Sequence, residues 1–188
     1  IEEMEVRDYK VQALAQKISL MSQNFNVRFP YTAAEIVAMG RYCYNNGSLS
    51  GKDKKIINKA IKEAELEELK DRAVNKLSGG EMQRVLFGKT LCQDTDIILI
   101  DEGFSNMDIY YQIKFIKLLK EKAAKENKLI IFIMHDLMLA RKYCDEIVML
   151  KNGEIYDSGN SKEILNDKSL KDVFKISGRF SGDSLELI

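Results

Sequence analysis

The sequence has no excess of charge of either sign, and this absence excludes several classes of protein. Its 188 residues carry 29 Lys and Arg against 29 Asp and Glu, so the formal net charge is zero. A neutral chain is not a nucleic-acid binder held by bulk positive charge, nor an acidic disordered tail. Hydrophobic residues make up 45% of the chain, which indicates a globular domain with a core of its own.

Long apolar runs, proline and paired cysteines are also scarce. The longest apolar run, Leu129 to Met134, is far shorter than the roughly 20 residues that span a bilayer. The three cysteines lack a CxxC spacing and His135 is the only histidine, so no zinc site is predicted and a reducing cytoplasm is favoured. Proline occurs once, at Pro30, and the first residue is Ile rather than Met, which suggests a processed or truncated product.

Three short apolar segments predict strands, and the pattern between two of them predicts a parallel pair. The segments are 17–23, 96–101 and 129–134, and the last two are expected to be buried. Residues 108–126 predict an amphipathic helix with one apolar face: Ile109, Ile113, Ile116, Leu119 and Ala123. A strand, a helix and a strand of these lengths form a βαβ unit with a right-handed crossover, so the fold class is α/β.

The stretch from 33 to 91 shows no strand-like alternation and is a candidate helical subdomain. Helices are predicted from about 33 to 40, from 53 to 64 and from 67 to 70.

The end of the chain mixes short elements. His135 to Tyr143 predicts a helix, and 146–157 predicts a hairpin around the turn Asn152-Gly153. From 161 the pattern is helical and then fades into a Gly/Ser-rich end at 177–184.

Polar side chains follow each predicted strand of the sheet. Gln23 follows the first strand, Asp101 and Glu102 follow the second, and His135 follows the third. In open α/β sheets, ligands bind outside the carboxyl ends of the strands. Each of these residues alone is more often structural than functional, but their joint placement at one edge indicates a binding or catalytic site.

A second candidate site is the segment Leu77-Ser-Gly-Gly-Glu81. Ser78 and Glu81 have the spacing of a capping box, which predicts that a helix begins here. The two glycines leave the first backbone N–H groups of that helix accessible, and such an N-terminus can bind phosphate.

With these residues in order, the sequence resembles the ATP-binding subunits of ABC transporters. The resemblance covers residues 17 to about 157, and VAMGRYCY at 37–44 is similar to importers of siderophore iron, haem or vitamin B12. The matching motifs are the Q-loop glutamine Gln23, the signature LSGGE at 77–81, the Walker B strand with its glutamate IILIDE at 97–102, the D-loop SNMD at 105–108 and the switch histidine His135.

The resemblance implies an ATPase that uses Mg²⁺. Asp101 would hold Mg²⁺ together with Gln23, Glu102 would act as general base on the attacking water, and His135 would contact the γ-phosphate. Two copies would form a homodimer that sandwiches two nucleotides. The residues that would contact the partner copy's nucleotide or shape the dimer seam are Ser78, Gly79, Gly80, Glu81, Gln83 and Asp108.

The implied architecture is a truncated P-loop NTPase (RecA-like) core with an inserted helical subdomain. The expected parts are 1–23 as a remnant of the core, 24–92 as the helical subdomain with the signature, 93–160 as the core with Walker B, D-loop and switch histidine, and 161–188 as a helical tail. The helical segment would dock on transmembrane permease subunits, at the cytoplasmic face of the membrane. No nucleic-acid partner is expected.

The chain departs from the family in its phosphate-binding loop. No G-x-x-x-x-G-K-[ST] motif precedes Gln23. The nearest similar stretch, Gly47 to Asp53, has three instead of four residues between its glycines, and Asp53 stands in place of the metal-binding hydroxyl. We therefore expect a chain without the first βαβ unit of the core, inactive alone, with apolar surface left uncovered on its sheet. Gly103 stands where the family usually has proline after the glutamate, and this is expected to loosen the turn at Glu102.

Two other functions are open alternatives. The chain could be a non-catalytic protein-interaction module or a degenerate subunit, although the intact Asp101, Glu102 and His135 argue against this. It could also be an ABC ATPase outside transport, but such relatives usually carry a second cassette or long insertions. The transported substrate is not encoded in this chain, because in this architecture the permease selects it.

Overall fold

A computed structural model of the protein describes residues 1–22, 29–45 and 48–188. Gln23 and Gly47 lie outside the described residues. The chain divides into two compact units, unit 1 (Ile1–Ile133) and unit 2 (Met134–Ile188). None of the expected domain boundaries falls at this division.

Unit 1 contains a three-stranded sheet and six α-helices among its described residues. The strands are β1 (Ile18–Met21), β2 (Ile97–Asp101) and β3 (Leu129–Ile133). The helices are α1 (Val11–Ala15), α2 (Ala33–Ala38), α3 (Tyr42–Asn45), α4 (Gly51–Glu63), α5 (Gly79–Gln93) and α6 (Ile109–Glu126), with 3₁₀ turns at Val6–Asp8, Met39–Arg41 and Val74–Lys76.

The sheet is parallel, with strand order β1-β2-β3. Ile97 of β2 lies opposite Ile18 of β1 and Leu129 of β3, so the three strands end at one common edge. The predicted βαβ unit from β2 through α6 to β3 is confirmed. Because the strands are parallel and in register, whatever follows β2 is placed beside the ends of β1 and β3.

The two faces of this sheet differ in exposure. Ser19, Met21, Ile98 and Ile100 point to a covered face and are buried. The opposite face is apolar and open, with these exposed fractions: Leu20 58%, Leu129 55%, Ile131 49% and Ile133 53%.

The expectation that 129–134 is a buried strand is therefore wrong for alternate residues. A strand presents successive side chains to opposite faces, and only one face of this sheet is covered by described residues. The expected uncovered apolar surface is present.

The core of unit 1 is built around aromatic rings. Phe87 of α5 stacks on Phe115 of α6 with ring centroids 4.4 Å apart, and Phe104 packs edge-on against Phe87 at 5.3 Å. Phe104 also meets Phe132 of β3 at 5.0 Å. These contacts fix α5, α6 and the residues after β2 to one another.

Helix α6 buries most of the predicted apolar face, since Ile113 and Ala123 are partly buried and only Ile109 of that face is exposed. Phe115, Ile116 and Leu119 are buried, whereas Ile109, predicted to face the core, is 57% exposed. Ile109 is the first residue of the helix and lies beyond the packed region. Phe115, which the predicted face did not include, is fully buried as well.

The helix predicted over 67–70 does not form. Helix α4 ends at Glu63, because Glu65 adopts a left-handed conformation (φ 54°) and the Leu66 N–H bonds back to the Ile61 carbonyl. The residues that follow form consecutive turns, in which the Leu69 N–H donates to the Leu66 carbonyl (2.9 Å) and the Arg72 N–H donates to the Leu69 carbonyl (2.9 Å). Otherwise the predicted helical character of 33–91 is confirmed for the described residues.

The segment VAMGRYCY lies directly against the carboxyl end of α5. A Cβ atom added at Gly40 would lie 2.5 Å from the Lys89 carbonyl oxygen, so only glycine fits this approach. The buried Arg41 donates hydrogen bonds to the carbonyls of Cys92 (3.2 Å) and Gln93 (3.4 Å). No N–H group within α5 donates to these last carbonyls, so Arg41 caps the negative end of the helix dipole.

Arg41 also joins α5 to the start of α4. Its Nε atom lies 2.8 Å from Asp53 Oδ1, and both side chains are almost inaccessible to solvent. Asp53 accepts from the Ser50 hydroxyl (2.6 Å) and backbone N–H (3.0 Å) in the capping box of α4. Hydrogen bonds from Ser50 and then Arg41 hold the pKa of Asp53 below its ordinary value.

This lowered pKa predicts an acid-dependent stability. Ionised Asp53 is favoured in the folded state, so its contribution is complete above the unfolded pKa of about 4 and is lost as the pH falls below it. We expect Asp53→Asn to destabilise the protein at neutral pH and the difference from wild type to shrink in acid. Urea unfolding at a series of pH values measures this. Asp71→Asn, at an exposed aspartate, is the control. A difference that stays constant at every pH would contradict the prediction.

Unit 2 consists of two hairpins and short helices. Its elements are α7 (Leu137–Tyr143), β4 (Glu146–Lys151), β5 (Glu154–Asn160), α8 (Ser161–Ile164), α9 (Asp167–Ser169), a π-helical turn (Leu170–Phe174), β6 (Gly178–Ser181) and β7 (Ser184–Leu187). Its core is formed by Ala140, Met149, Ile164 and Leu165. The predicted helix from 135 and the hairpin around Asn152-Gly153 are confirmed, with small shifts of their ends.

The expectation of a helical tail over 161–188 is only partly right. Residues 161–174 are mostly helical, but β6 and β7 form an antiparallel hairpin. Gly182, with φ 63°, makes the turn, and Phe180 pairs with Leu185 across the strands. Of the glycine and serine residues that suggested a fading end, Gly182 is a turn residue, and Gly178, Ser181 and Ser184 belong to the two strands.

Candidate functional site

The start of α5 has the geometry predicted from Ser78 and Glu81. The Ser78 hydroxyl accepts from the Glu81 N–H (3.3 Å), and the Glu81 carboxylate accepts from the Ser78 N–H (2.8 Å). This capping box leaves the N–H groups of Gly79 and Gly80 at the first two helical positions, where the helix offers them no acceptor. Ser78 and Gly79 are exposed, so the helix N-terminus is open to a ligand.

The Glu81 carboxylate is committed to this cap. Its hydrogen bonds with Ser78 hold the pKa of Glu81 below its ordinary value, and Arg72 lies 3.5 Å from it. An ionised carboxylate at a helix N-terminus is stabilised by the helix dipole. Glu81 therefore shapes the N-terminus.

The residues after β2 form a tight turn that carries the candidate general base. Glu102 has a left-handed backbone (φ 49°), and its N–H donates to the carbonyl of Ile133 on β3 (3.2 Å). The Ser105 N–H donates to the Glu102 carbonyl (3.2 Å), and the Met107 N–H donates to the Phe104 carbonyl (3.1 Å). These bonds define residues 102–107, called here the base turn.

The structure brings the start of α5 and the base turn together. A Cβ atom on Gly80 would lie 3.0 Å from the Asn106 carbonyl oxygen. The Gln83 side chain bonds both Ser105 and Asn106. The predicted signature and D-loop segments are thus neighbours within one chain.

Gly103 has a packing reason that sequence analysis missed. A Cβ atom there would lie 2.8 Å from the Met21 sulfur, and Met21 is 1% exposed. The backbone after Glu102 therefore packs directly on the end of β1. The expected loosening of this turn is not supported, because Gly103 is buried and the turn is hydrogen-bonded on both sides.

Asp101 and Glu102 form the acidic pair of the site. Asp101 is exposed at the end of β2 and Glu102 is half-buried. Within the described ranges no group of three or more His, Cys, Asp or Glu could hold a metal ion. One or two carboxylates, completed by water and substrate phosphates, are the donor set that Mg²⁺ uses at nucleotide sites, so this pair fits Mg²⁺.

The remaining predicted site residues are Asp108, His135 and Gln23. Asp108 is the exposed N-cap residue of α6 and makes no side-chain cap bond. His135 is exposed in unit 2, two residues after the end of β3. Gln23 lies outside the described residues.

Among the residues that the structure describes, no helix combines the length and the apolar character needed to cross a bilayer.

The sheet, its acidic edge and the capped glycine-rich helix start define an α/β protein with a candidate phosphate-binding site. Comparison with known proteins agrees with this class. The family model described as "ABC transporter" matches residues 1–105. The chain therefore belongs to the ABC transporter family, as its motifs predicted.

Two curated relatives come from Bacillus subtilis (strain 168). The "Petrobactin import ATP-binding protein YclP" is 34% identical over 164 residues, which is 87% of this chain and 65% of that protein. The "Probable siderophore transport system ATP-binding protein YusV" is 34% identical over 174 residues, 92% of this chain and 63% of that protein. The chain thus spans less than two thirds of the length of these relatives.

A solved structure supports the fold. The dimeric post-hydrolysis state of the ATP-binding cassette MJ0796, bound to ADP and Pi, superposes with a TM-score of 0.73 at 31% identity. The match covers 86% of this chain and 72% of that chain. The predicted fold class, an α/β core of the P-loop NTPase type with a helical insertion, is confirmed.

Proposed function

We propose that the chain is part of an ATP-binding and ATP-hydrolysing subunit that powers an ABC importer, with an iron–siderophore complex as the cargo class. Haem and cobalamin are the alternative cargoes. The proposal rests on one observation: the capped start of α5 lies against the turn that carries Glu102. It is also supported by the names of YclP and YusV.

Each residue has a role in this proposal. The open N–H groups of Gly79 and Gly80, with the Ser78 hydroxyl, bind the γ-phosphate of a nucleotide held by a second copy. Glu102 accepts a proton from the attacking water. Asp101 would hold Mg²⁺ with help from Gln23, and bound Mg²⁺ would supply positive charge at the phosphate oxygens.

The remaining roles concern the partner proteins. His135 contacts the γ-phosphate, and Asp108 shapes the seam between two copies. The helical segment docks on permease subunits, which places the protein at the cytoplasmic face of the membrane. These roles rest on the family motifs at those positions.

The same proposal predicts that the chain as given does not turn over ATP. The backbone amides and lysine of a P-loop are the main donors to the β- and γ-phosphates, and the sequence has no such motif. We expect a Kd for ATP above about 1 mM for this chain. Extension by an N-terminal P-loop segment from a relative is expected to give saturable binding. Nucleotide titration by calorimetry, with and without that segment, measures both.

The outcomes separate the candidate functions. If the extended chain binds no ATP, the proposal fails and a non-catalytic interaction module is favoured. If the chain as given hydrolyses ATP steadily and Glu102→Gln abolishes this, the expected inactivity is wrong.

A further inference from the structure

The base turn contains a backbone N–H, that of Asn106, whose acceptor is a side chain of α5. The N–H groups of Ser105 and Met107 donate to carbonyls within the turn. The N–H of Asn106, between them, donates instead to Gln83 Oε1 at 3.0 Å. The other end of the same amide, Gln83 Nε2, donates to the Ser105 hydroxyl at 3.4 Å.

Gln83 is built into the fold for this contact. Its side chain belongs to the second turn of α5 and the residue is 5% exposed. A buried amide needs partners for both its oxygen and its nitrogen, and here both are in the base turn. Its side-chain oxygen and nitrogen are therefore engaged inside the chain rather than presented to a ligand.

Neighbouring contacts make the connection stiff. The helix start also approaches the turn closely, because a Cβ atom on Gly80 would lie only 3.0 Å from the Asn106 carbonyl oxygen. Arg84, next to Gln83, donates to the Ala64 and Glu65 carbonyls and to the Tyr111 hydroxyl (3.1 Å). The first turns of α5 are thus fixed on both sides.

We propose that Gln83 is a positioning residue that ties the phosphate-binding start of α5 to the candidate base Glu102. The path has two steps. Gln83 holds Ser105 and Asn106, and the Ser105 N–H holds the Glu102 carbonyl (3.2 Å). This inference replaces the nucleotide contact predicted for Gln83, and it rests on the proposed function for its catalytic consequence.

The consequence follows from the two-copy arrangement. In that arrangement the start of α5 binds the nucleotide held by the partner copy, whereas Glu102 acts on the nucleotide of its own chain. A displacement of α5 on phosphate binding at one site then reaches the base at the other site through Gln83. The two sites of a dimer are coupled by a contact within each chain.

The first test uses the chain as given and needs no nucleotide. In Gln83→Leu the Asn106 N–H loses its acceptor, so its hydrogen exchange is expected to accelerate about tenfold, measured by NMR. Gln83→Glu keeps an acceptor oxygen and should leave that exchange within about threefold of wild type. Gln93→Leu removes a matched glutamine of α5 that bonds Ala15 and Ile18 instead, and it should leave Asn106 unchanged.

Three results would overturn the inference. They are unchanged Asn106 exchange in Gln83→Leu, an equal acceleration in Gln93→Leu, or a tenfold acceleration in Gln83→Glu. If Gln83→Leu does not fold, Gln83→Met replaces it: this side chain keeps the length but lacks the amide oxygen, so Asn106 exchange should again accelerate about tenfold, and unchanged exchange would overturn the inference.

The second test addresses catalysis in the chain extended by a P-loop segment. Positioning of the base affects the chemical step, so Gln83→Leu should lower kcat about tenfold with KM for ATP within about twofold. Gln83→Glu should restore most of the rate. A rise in KM alone would indicate a direct nucleotide contact and contradict the inference. Because the exchange test needs no ATP, its result can still be interpreted if the proposed function is wrong.

Discussion

Glu102→Gln is expected to lower ATP turnover by about 10²–10⁴-fold in the chain extended by a P-loop segment, the range over which a general base contributes. Glutamine has nearly the same shape but cannot accept a proton at neutral pH. The backbone of Glu102 is held by the bond to Ile133, so the substitution should leave the turn intact. ATP binding should therefore persist while the chemical step is lost, and measured kcat should fall with little change in Kd.

The matched control is Glu67→Gln, at an exposed glutamate in the turns after α4. It changes the same atoms away from the sheet edge and should keep the rate of the parent. Equal rates for Glu102→Gln and the parent would show that Glu102 is not the base. Loss of ATP binding in Glu102→Gln would instead indicate that its carboxylate mainly holds the metal.

Phe87→Ala is expected to have the largest effect on stability, a loss of about 3–5 kcal/mol in the free energy of unfolding. Phe87 is completely buried and contacts the rings of Phe104 and Phe115. Its removal leaves a cavity where α5, α6 and the base turn meet, and the stacked ring pair is lost as well. Urea unfolding followed by circular dichroism measures the change.

Phe29→Ala is the control for Phe87→Ala. Phe29 is 67% exposed and its ring meets Tyr31 edge-on at 6.2 Å. An exposed aromatic residue of this kind should change stability by no more than about 0.5 kcal/mol. If both substitutions destabilise equally, the aromatic cluster is not the centre of the core.

Local signals predicted the parts of the site that are built locally. The capping box of Ser78 and Glu81 involves residues three positions apart, so its spacing alone specifies the geometry. The edge position of Asp101 and Glu102 follows from a short apolar segment that ends in two carboxylates. The parallel pairing of β2 and β3 follows from the helix between them.

Contacts between distant segments could not be predicted in the same way. Gln83 bonds residues more than twenty positions later, and nothing in its own surroundings indicates this acceptor. Gly103 suggested flexibility, whereas its actual constraint is Met21 on another strand. Residues 67–70 have good helix formers, but the left-handed Glu65 and the burial of Leu66 outweigh that preference.

The contacts that Gly40 and Arg41 make with the carboxyl end of α5 allow this helix to transmit movement. A helix of 15 residues is a rod about 22 Å long. Arg41 is hydrogen-bonded to the carboxyl end of this helix, and Gln83 links its amino end to the base turn. A displacement of the segment around Gly40 is therefore transmitted to the base turn, because one continuous helix joins the two contacts.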